Sequence, residues 1–474
     1  MSEETMRLWM QDNNHSFFED LKALTSIPSI SANSCAPDDV NYRHGQEALA
    51  CAKDLLLKHE ITHDILVERN YLLAKIKGQG QARKNLGIFA HLDVVPTGDR
   101  AQWISDPFDL REDGDFLVGR GVADNKGSIL STVYALKYLK EKHVQLNYDI
   151  LLFMGINEEN GMACLDNFLK NHPAPDIAYT PDANFPVCVG EKSMVDFSLE
   201  YDLSDSRLLT LRSGVVSNSV PDQAEAEIRL SEGQKQNLQR DGLAQGITLE
   251  FTDTGCLVNA SGKAAHAAFP EGSTNALVAL AEFLLARDLY DKKSEPLLRG
   301  IVHLFKDYYG VGFGIANEDP VFKHLTIVAG CSKTSQPIYY QYLDCRMPPA
   351  LDMDSIVNAV SNKASTYGFT TKVLNKSKGY LRDQDSPWIQ LMWSIFQKYY
   401  PSAGLNNPFY VMGGGTYARK LPNAVGFGPG NPNLVFPPHL NGGHKANEAI
   451  TKEELQNAFY IYVDYLKNLN FLDN

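Results

Sequence analysis

The sequence lacks several features that identify particular classes of protein. No apolar stretch reaches the length of about 18 residues that a membrane-spanning helix needs, so we expect no membrane span. The first residues, Met-Ser-Glu-Glu-Thr, lack the basic start and apolar run of a secretory signal peptide. The formal net charge of −13 is spread along 474 residues without a long block of one sign, which argues against a nucleic-acid-binding surface.

The cysteines are odd in number and include no Cys-x-x-Cys pair. A disulfide framework needs paired cysteines, so this pattern predicts reduced thiols in a cytosolic protein. The seven cysteines are Cys35, Cys51, Cys164, Cys188, Cys256, Cys331 and Cys345.

The length of the chain predicts more than one domain, because a single core rarely serves so many residues. Residues 1–192 and 383–474 combine helical spacing of apolar residues with short apolar runs that suit buried parallel strands. Residues 193–382 instead carry longer strands that alternate polar and apolar positions. We therefore expect an α/β domain with a helix-covered, mixed and largely parallel sheet, into which an α+β domain at 193–382 is inserted.

Polar residues follow the predicted buried strands at the point where each strand ends. Residues 87–90 predict a strand, and His91 and Asp93 leave its end on the same side, since positions i and i+2 share a face. Strands predicted at 149–155 and 176–179 are likewise followed by acidic residues. In open α/β sheets, sites form in the crevice outside the carboxyl ends of the strands. The acidic residues at these two strand ends are Glu158, Glu159 and Asp182.

Two loops add further candidates. Asp124 lies in a glycine-bounded loop just before a predicted helix, where it either caps the helix or presents its carboxylate outward. His439 and His444 lie in a loop before the closing helix. Each candidate alone is consistent with a turn, a cap or a solvated loop.

Together, however, two histidines and five carboxylates at neighbouring crevice positions would repel one another without a cation. Imidazole and carboxylate ligands suit Zn²⁺, Mn²⁺ or Co²⁺. A set with a shared carboxylate suits two ions about 3.5–4 Å apart. The set is His91, Asp93, Asp124, Glu158, Glu159, Asp182 and His444.

The adjacent acids Glu158 and Glu159 are expected to differ in role, because neighbours in an extended segment point in opposite directions. One would bind a metal ion while the other acts as general base on a water. Burial near its acidic neighbour should raise the pKa of that base.

These motifs, in their order, resemble those of the M20 metallopeptidases, and more closely those of the monomeric bacterial dipeptidase V branch. The resemblance spans nearly the whole chain. It implies that 1–192 and 383–474 form a catalytic domain and that 193–382 form a lid. The motifs are His91-Leu-Asp93, Gly121-Val-Ala-Asp124-Asn-Lys-Gly127, Glu158-Glu159, Pro181-Asp182 and His444-Lys-Ala-Asn-Glu448.

The resemblance implies a ligand set for two divalent ions, with Zn²⁺ favoured over Mn²⁺ or Co²⁺. His91 and Asp182 would hold one ion. Glu159 and His444 would hold the other, and Asp124 would bridge both.

The resemblance also implies roles around these ligands. Glu158 would be the general base on a water that bridges the ions, and Asp93 would orient His91. The peptide bond between Asp124 and Asn125 would be cis, with Asn125 at a position where such families often carry a second Asp.

Three segments of the chain resemble the substrate-binding parts of the family. His266 corresponds to a lid histidine that reaches the scissile carbonyl, Asn218 to a substrate-binding asparagine, and Arg346 to an arginine that takes the substrate carboxylate. Gly414 and Gly415 lie in a glycine-rich loop near the substrate. That loop lacks the Gly-Lys-Ser/Thr ending of a phosphate-binding loop.

The favoured function is therefore a metallo-dipeptidase that cleaves unblocked dipeptides. The first alternative is a deacylase of the same family that acts on N-succinyl or N-acetyl amino acids. The second is a metal-bound binding protein without activity, which the complete ligand set argues against. The long insert resembles that of the monomeric branch, so we expect a cytoplasmic monomer that binds small peptides and neither nucleic acid nor membranes.

Overall fold

The computed structural model describes residues 3–79, 84–240, 244–401, 409–431 and 433–469. Among these residues, no helix has the length and apolar character that crossing a membrane requires. The α-helices are α1 (Glu3–Thr25), α2 (Val40–Lys58), α3 (Lys126–Glu141), α4 (Ala163–Asn171), α5 (Glu232–Arg240), α6 (Ala276–Ala286), α7 (Glu295–Phe305), α8 (Met353–Ser365), α9 (Pro387–Tyr399) and α10 (Lys452–Asn468).

The strands vary from two to ten residues in length. They are β1 (Ile65–Val67), β2 (Tyr71–Ile76), β3 (Asn85–His91), β4 (Arg111–Asp113), β5 (Phe116–Val118), β6 (Asp149–Gly155), β7 (Ile177–Thr180), β8 (Ala183–Asn184), β9 (Val187–Glu191), β10 (Ser193–Asp202), β11 (Leu208–Ser213), β12 (Gln223–Arg229), β13 (Ile247–Phe251), β14 (Gly255–Ser261), β15 (Glu318–Asp319), β16 (Lys323–His324), β17 (Thr326–Ser335), β18 (Ile338–Met347), β19 (Thr370–Ser377), β20 (Tyr380–Leu381), β21 (Phe409–Met412), β22 (Ala424–Gly426), β23 (Pro429–Gly430) and β24 (Ala449–Thr451).

The chain divides into two compact units. The first comprises Met1–Gly190, Arg382–Tyr410 and Gly415–Asn474. The second comprises Glu191–Leu381 and Val411–Gly414. The glycine-rich stretch that begins at residue 413 therefore belongs in part to each unit.

The first unit is built on a mixed sheet with the strand order β1-β2-β6-β3-β7-β22-β9. β3 pairs in parallel with both β6 and β7, and β7 pairs in parallel with β22. β1, β2 and β9 join in antiparallel pairings. β3 and β6 are almost entirely buried runs of apolar residues, as a sheet covered by helices requires. The helix-covered, mixed α/β sheet predicted from the sequence is confirmed.

Two helices of the first unit, α2 and α10, begin at residues whose side chains cap the first backbone N–H groups. The Asp39 side chain accepts hydrogen bonds from two backbone N–H groups at the start of α2. α10 begins with a reciprocal pair of hydrogen bonds between Thr451 and Glu454. α10 and α1 both pack against α3, which in turn contacts β3. α3 thereby fixes the loop ahead of it relative to the sheet.

The second unit contains an antiparallel sheet with the order β13-β14-β12-β11-β17-β18-β10-β19. Burial alternates along β12, because one face of the sheet packs against the core and the other does not. That core includes Leu277 of α6, Leu298 of α7 and Val360 of α8. The unit thus has the α+β architecture expected of this part of the chain.

A buried polar cluster joins α1, α2 and α3. The carboxylate of Asp20 on α1 is 2.6 Å from Lys58 Nζ and 2.6 Å from His59 Nε2 on the α2 side. It also accepts a hydrogen bond of 2.9 Å from the Tyr134 hydroxyl on α3. Burial alone would raise the pKa of Asp20, but the hydrogen bonds from these partners outweigh it and lower the pKa.

We predict that Asp20→Asn lowers the free energy of unfolding by about 1–3 kcal/mol at neutral pH, because the buried His59 and Tyr134 and the half-exposed Lys58 lose a charged acceptor. A carboxylate with a lowered pKa stabilises the fold above its unfolded pKa, and this contribution is lost as pH falls through the folded pKa. The deficit of the variant should therefore shrink in acid. Urea unfolding at neutral and acidic pH measures it, with Asp12→Asn, an exposed position on α1, as control. A deficit that does not change with pH contradicts this account.

Candidate metal centre

Neighbouring parallel strands bring polar residues to one edge of the sheet in the first unit. His91 is the last residue of β3, and its register partner Gly155 ends β6. Glu158 and Glu159 follow β6, and Asp182 follows β7. Because the carboxyl ends of parallel strands meet at one edge, these side chains converge. Nε2 of His91 lies 3.5 Å from Oδ2 of Asp182.

Asp124 lies between two histidines. Its Oδ1 is 3.0 Å from Nε2 of His91, and its Oδ2 is 2.9 Å from Nε2 of His444. The same nitrogen of His444 is 3.1 Å from Oε1 of Glu159. One carboxylate oxygen therefore faces the side of His91 and Asp182, and the other faces the side of His444 and Glu159.

The other late histidine lies elsewhere. Nε2 of His439 is 2.9 Å from Oδ2 of Asp113, and both side chains are partly exposed. Of the two histidines, His444 is the one that contacts the carboxylates of the cluster in the described part of the chain.

Glu448 holds the backbone that carries Asp124. Its Oε1 accepts hydrogen bonds from the backbone N–H groups of Gly121, Ala123 and Asp124, at 3.0, 3.0 and 3.1 Å. Its Oε2 accepts a hydrogen bond of 2.6 Å from Nη1 of Arg120. Both charged side chains are fully buried. Sequence reasoning assigned no role to either residue, although Glu448 ends the last of the motifs.

Asp93 holds the two glutamates as well as His91. Its carboxylate accepts hydrogen bonds of 3.1 Å from the backbone N–H groups of Glu158 and Glu159. Nδ1 of His91 is 2.9 Å from the backbone oxygen of Asp93 and 3.6 Å from its carboxylate. The ring is thus oriented by the carbonyl of Asp93 rather than by its carboxylate, because two backbone donors engage both carboxylate oxygens.

The two glutamates are buried among other acids. Burial raises the pKa of Glu158 well above its usual value; the charge of His91 opposes this shift, and the charges of nearby acids such as Asp182 add to it. Burial also raises the pKa of Glu159 to about 7, with the charge of Asp124 adding to the shift. The direction for Glu158 is the one that the sequence predicts for a buried general base.

The histidines are shifted in the direction that favours positive charge. Hydrogen bonds with Asp124 and Glu159 raise the pKa of His444 to about 11. Burial alone would lower the pKa of His91, but the carboxylates of Asp182 and Asp124 outweigh it and raise the pKa well above its usual value. The cluster therefore has an excess of negative charge that favours cations.

The donor atoms suit divalent metal ions. Nε2 of His91 and Oδ1 of Asp124 are buried and contact each other at 3.0 Å. Oε1 of Glu158 is also buried and has no hydrogen-bond partner in the described part of the chain. Buried polar atoms without partners are costly. The ligand atoms of His91, Asp124 and Glu159 lie within 4.8 Å of one another, and so do those of His91, Glu158 and Asp182. Imidazole nitrogen with carboxylate oxygen is a set that binds Zn²⁺ and similar ions.

The two residues after Asp124 connect the cluster to the rest of the unit. The Asp124–Asn125 peptide bond is cis. Nδ2 of Asn125 donates to the backbone carbonyl of Pro181 at 2.6 Å and lies 3.5 Å from the carboxylate of Asp182. Nζ of Lys126 donates to one backbone carbonyl in the last turn of α1 at 2.9 Å and to another just after that helix at 2.8 Å, and burial lowers the pKa of Lys126 to about 7. Asn125 thus supplies a donor that an aspartate would lack.

In the second unit, the segments that carry Asn218 and His266 lie side by side. The backbone N–H of Ala267 donates to the carbonyl of Asn218 at 2.9 Å, and Ser219 forms an isolated antiparallel bridge with His266. The backbone N–H of Ala268 donates to Nδ1 of His266 at 3.2 Å. Nδ1 is therefore an acceptor, which assigns the ring proton of the neutral imidazole to Nε2.

Arg346 is buried near the end of β18 and forms an ion pair with Asp344. Its Nη1 donates to the backbone carbonyl of Gly413 at 2.7 Å. Gly414 belongs to the second unit together with Gly413, whereas Gly415 belongs to the first. Gly414 and Gly415, two of the four residues predicted to bind substrate, thus belong to different units.

The family model described as peptidase family M20/M25/M40 matches residues 87–468. A protein of Staphylococcus aureus (strain bovine RF122 / ET3-1), which is named "Putative dipeptidase", is 28% identical over 477 residues. The match covers 97% of this chain and 98% of the relative. A protein of the same name from strain USA300 matches with the same identity and coverage.

Two solved structures resemble this chain along nearly its whole length. Human carnosine dipeptidase 1 has a TM-score of 0.61 at 13% identity, covering 99% of each chain. The dipeptidase Dug1p from Saccharomyces cerevisiae has a TM-score of 0.61 at 14% identity, also covering 99% of each chain. At such identities the likeness shows that the fold is shared.

We predict that Glu448→Gln weakens metal binding about ten- to a hundredfold, as loss of a group that supports metal ligands generally does. The new amide would leave the buried guanidinium of Arg120 without its counter-charge and would disturb the loop of Asp124. Competition between the metal-free protein and a chromophoric chelator measures the affinity. Glu453→Gln, at an exposed position of α10, is the matched control. Unchanged affinity in a folded variant would show that Glu448 does not support the ligands.

Proposed function

Because this chain belongs to peptidase family M20/M25/M40, we propose that it is a dipeptidase that hydrolyses unblocked dipeptides at a centre of two divalent ions. The relatives named as dipeptidases match it over almost their whole length, which supports this choice of substrate within the family. The observation that carries the proposal is the carboxylate of Asp124, which faces His91 with one oxygen and His444 with the other.

Asp124 would serve both ions, with His91 and Asp182 on one side and Glu159 and His444 on the other. Divalent ions held there would polarise the scissile carbonyl and lower the pKa of the attacking water. Zinc is the ion that we propose, since histidine and carboxylate ligands are usual for it, although Mn²⁺ and Co²⁺ accept the same set.

Glu158 would move the proton during the reaction. Its buried Oε1 has no hydrogen-bond partner among the described residues, so it is free to accept a proton from the attacking water. The oxygen of that water then bonds to the carbonyl carbon. The raised pKa of Glu158 suits a group that must hold the proton and then deliver it to the leaving amine nitrogen as the C–N bond breaks.

Residues outside the set of metal ligands would recognise the substrate. The proton on Nε2 makes His266 a donor for the oxygen of the scissile carbonyl, where negative charge develops. Arg346 suits the terminal carboxylate of the dipeptide, because a guanidinium binds a carboxylate through two parallel N–H groups. Asn218 would join it there, while Gly414 and Gly415 would approach the substrate through their backbone. Recognition of a terminal carboxylate limits the length of the peptide.

We also propose that the protein is a monomer of the dipeptidase V branch, because the inserted unit has a long antiparallel sheet of its own. Sedimentation of the metal-loaded protein as one chain would support this, and a dimer mass would contradict it.

We predict that the metal-free protein regains activity when Zn²⁺, Mn²⁺ or Co²⁺ is restored, and that it then cleaves dipeptides only. The panel contains dipeptides, tripeptides, and N-acetyl and N-succinyl amino acids. Cleavage of the N-acyl compounds instead would be consistent with the proposed metal centre but would show that the proposed dipeptide substrate is wrong. If the protein with two ions bound turns over no compound of the panel, the alternative of a binding protein without activity is favoured.

We predict that Glu158→Gln lowers kcat by about 10²–10⁴-fold, because the variant cannot accept the proton of the attacking water. The content of bound metal, measured by atomic emission, should be unchanged. Glu47→Gln, at an exposed position on α2, is the control. Near-normal turnover of the Glu158 variant would show that another group is the base.

A further inference from the structure

The guanidinium of Arg346 is held by its neighbour two positions earlier on β18. Nε donates to Oδ1 of Asp344 at 2.8 Å, and Nη2 donates to Oδ2 at 2.9 Å. The two residues lie on the same face of the strand, since positions i and i+2 share a face. Both residues are only 5% exposed, so this is a buried, bidentate ion pair.

A third contact fixes the other terminal nitrogen. Nη1 of Arg346 donates to the carbonyl of Gly413 at 2.7 Å. A side chain at Gly413 would collide with Cβ of Ala268, two residues after His266. The segments of Arg346, Gly413 and His266 are therefore neighbours within the second unit.

The charges around this pair come from the adjacent strand β10 and the residue before it. Asp196 on β10 lies directly opposite Asp344, and its carboxylate accepts a hydrogen bond from Asn375 of β19. The buried Lys192 precedes β10, and its Nζ donates to the carbonyl of His324 at 2.6 Å. Asp344 thus lies opposite another acid, Asp196. Two like charges in this position repel each other unless the positive charge of Arg346 remains beside Asp344.

The donors of Arg346 can be assigned one by one. A guanidinium has five N–H groups in a fixed plane. Asp344 takes the edge formed by Nε and Nη2, and Gly413 takes one N–H of Nη1. One N–H on each terminal nitrogen has no partner in the described part of the chain. A carboxylate can accept from two such groups at once.

We infer that Asp344 is a positioning residue, which holds one edge of the Arg346 guanidinium so that its terminal nitrogens are presented to the carboxylate of the substrate. This inference rests on the proposed dipeptidase function. Without Asp344, the arginine would keep its charge but lose the bond that sets its rotation. A buried guanidinium without its counter-charge would also reorient towards other acceptors.

The test compares a dipeptide, alanylalanine, with its C-terminal amide, which lacks the negative charge that Arg346 would bind. In the metal-loaded full chain, Asp344→Asn should lower kcat/KM for the dipeptide about ten- to a hundredfold, mainly through KM. The amide should lose less than about twofold, because its recognition does not use the oriented edge. Asp253→Asn, at an exposed position of the same unit, is the matched control.

A second pair of variants keeps the test valid if Asp344→Asn folds poorly. Arg346→Met and the double variant Asp344→Asn/Arg346→Met remove the charge that Asp344 would position. If Asp344 acts through Arg346, the two should have the same kcat/KM for the dipeptide. A further loss in the double variant would overturn the inference.

Two further results distinguish failure of the positioning role of Asp344 from failure of the proposed dipeptidase function. A native enzyme that cleaves dipeptides, together with equal losses on dipeptide and amide in Asp344→Asn, contradicts the positioning role alone. A native enzyme that cleaves no dipeptide contradicts the proposed function, and the positioning role with it.

Discussion

Repulsion among buried and partly buried carboxylates is the constraint on which the rest of the first unit depends. Five of them meet at one edge of the sheet, and burial raises the pKa of most of these groups. Without metal ions, protons on the histidines and acids must offset this charge. Divalent ions would offset the negative charge in their place, provided that the metal ligands are held in position by groups that do not themselves bind the ions. The five are Asp93, Asp124, Glu158, Glu159 and Asp182.

Those supporting groups lie behind the ligands. Glu448 gathers three backbone N–H groups of the loop that carries Asp124, and Arg120 balances its charge. Asp93 does the same for the turn after β6, through the backbone of the two glutamates. In the second unit, Asp344 stands in a similar relation to Arg346. In each case a buried acid fixes the geometry of a neighbouring group, which is the usual way to orient ligands.

The sequence predicted what depends on local pattern. Apolar runs locate the strands, and the convergence of parallel strand ends places His91 and Asp182 at one edge. The support by Glu448 could not be predicted, because it is 324 positions from Asp124 and meets it only through the fold. The sequence could have predicted that Asp344 is the partner of Arg346, since Asp344 is two positions away on the same strand face. Spacing did not predict that the carboxylate of Asp93, 3.6 Å from the imidazole of His91, also accepts from the backbone of the two glutamates.

Anomalous diffraction from crystals of the zinc-loaded protein tests most directly whether Asp124 bridges two metal ions, as we propose. Our account predicts two zinc peaks on either side of the Asp124 carboxylate. One should contact His91 and Asp182, and the other His444 and Glu159. A single peak at full zinc loading, or two peaks of which one does not contact Asp124, would contradict the account.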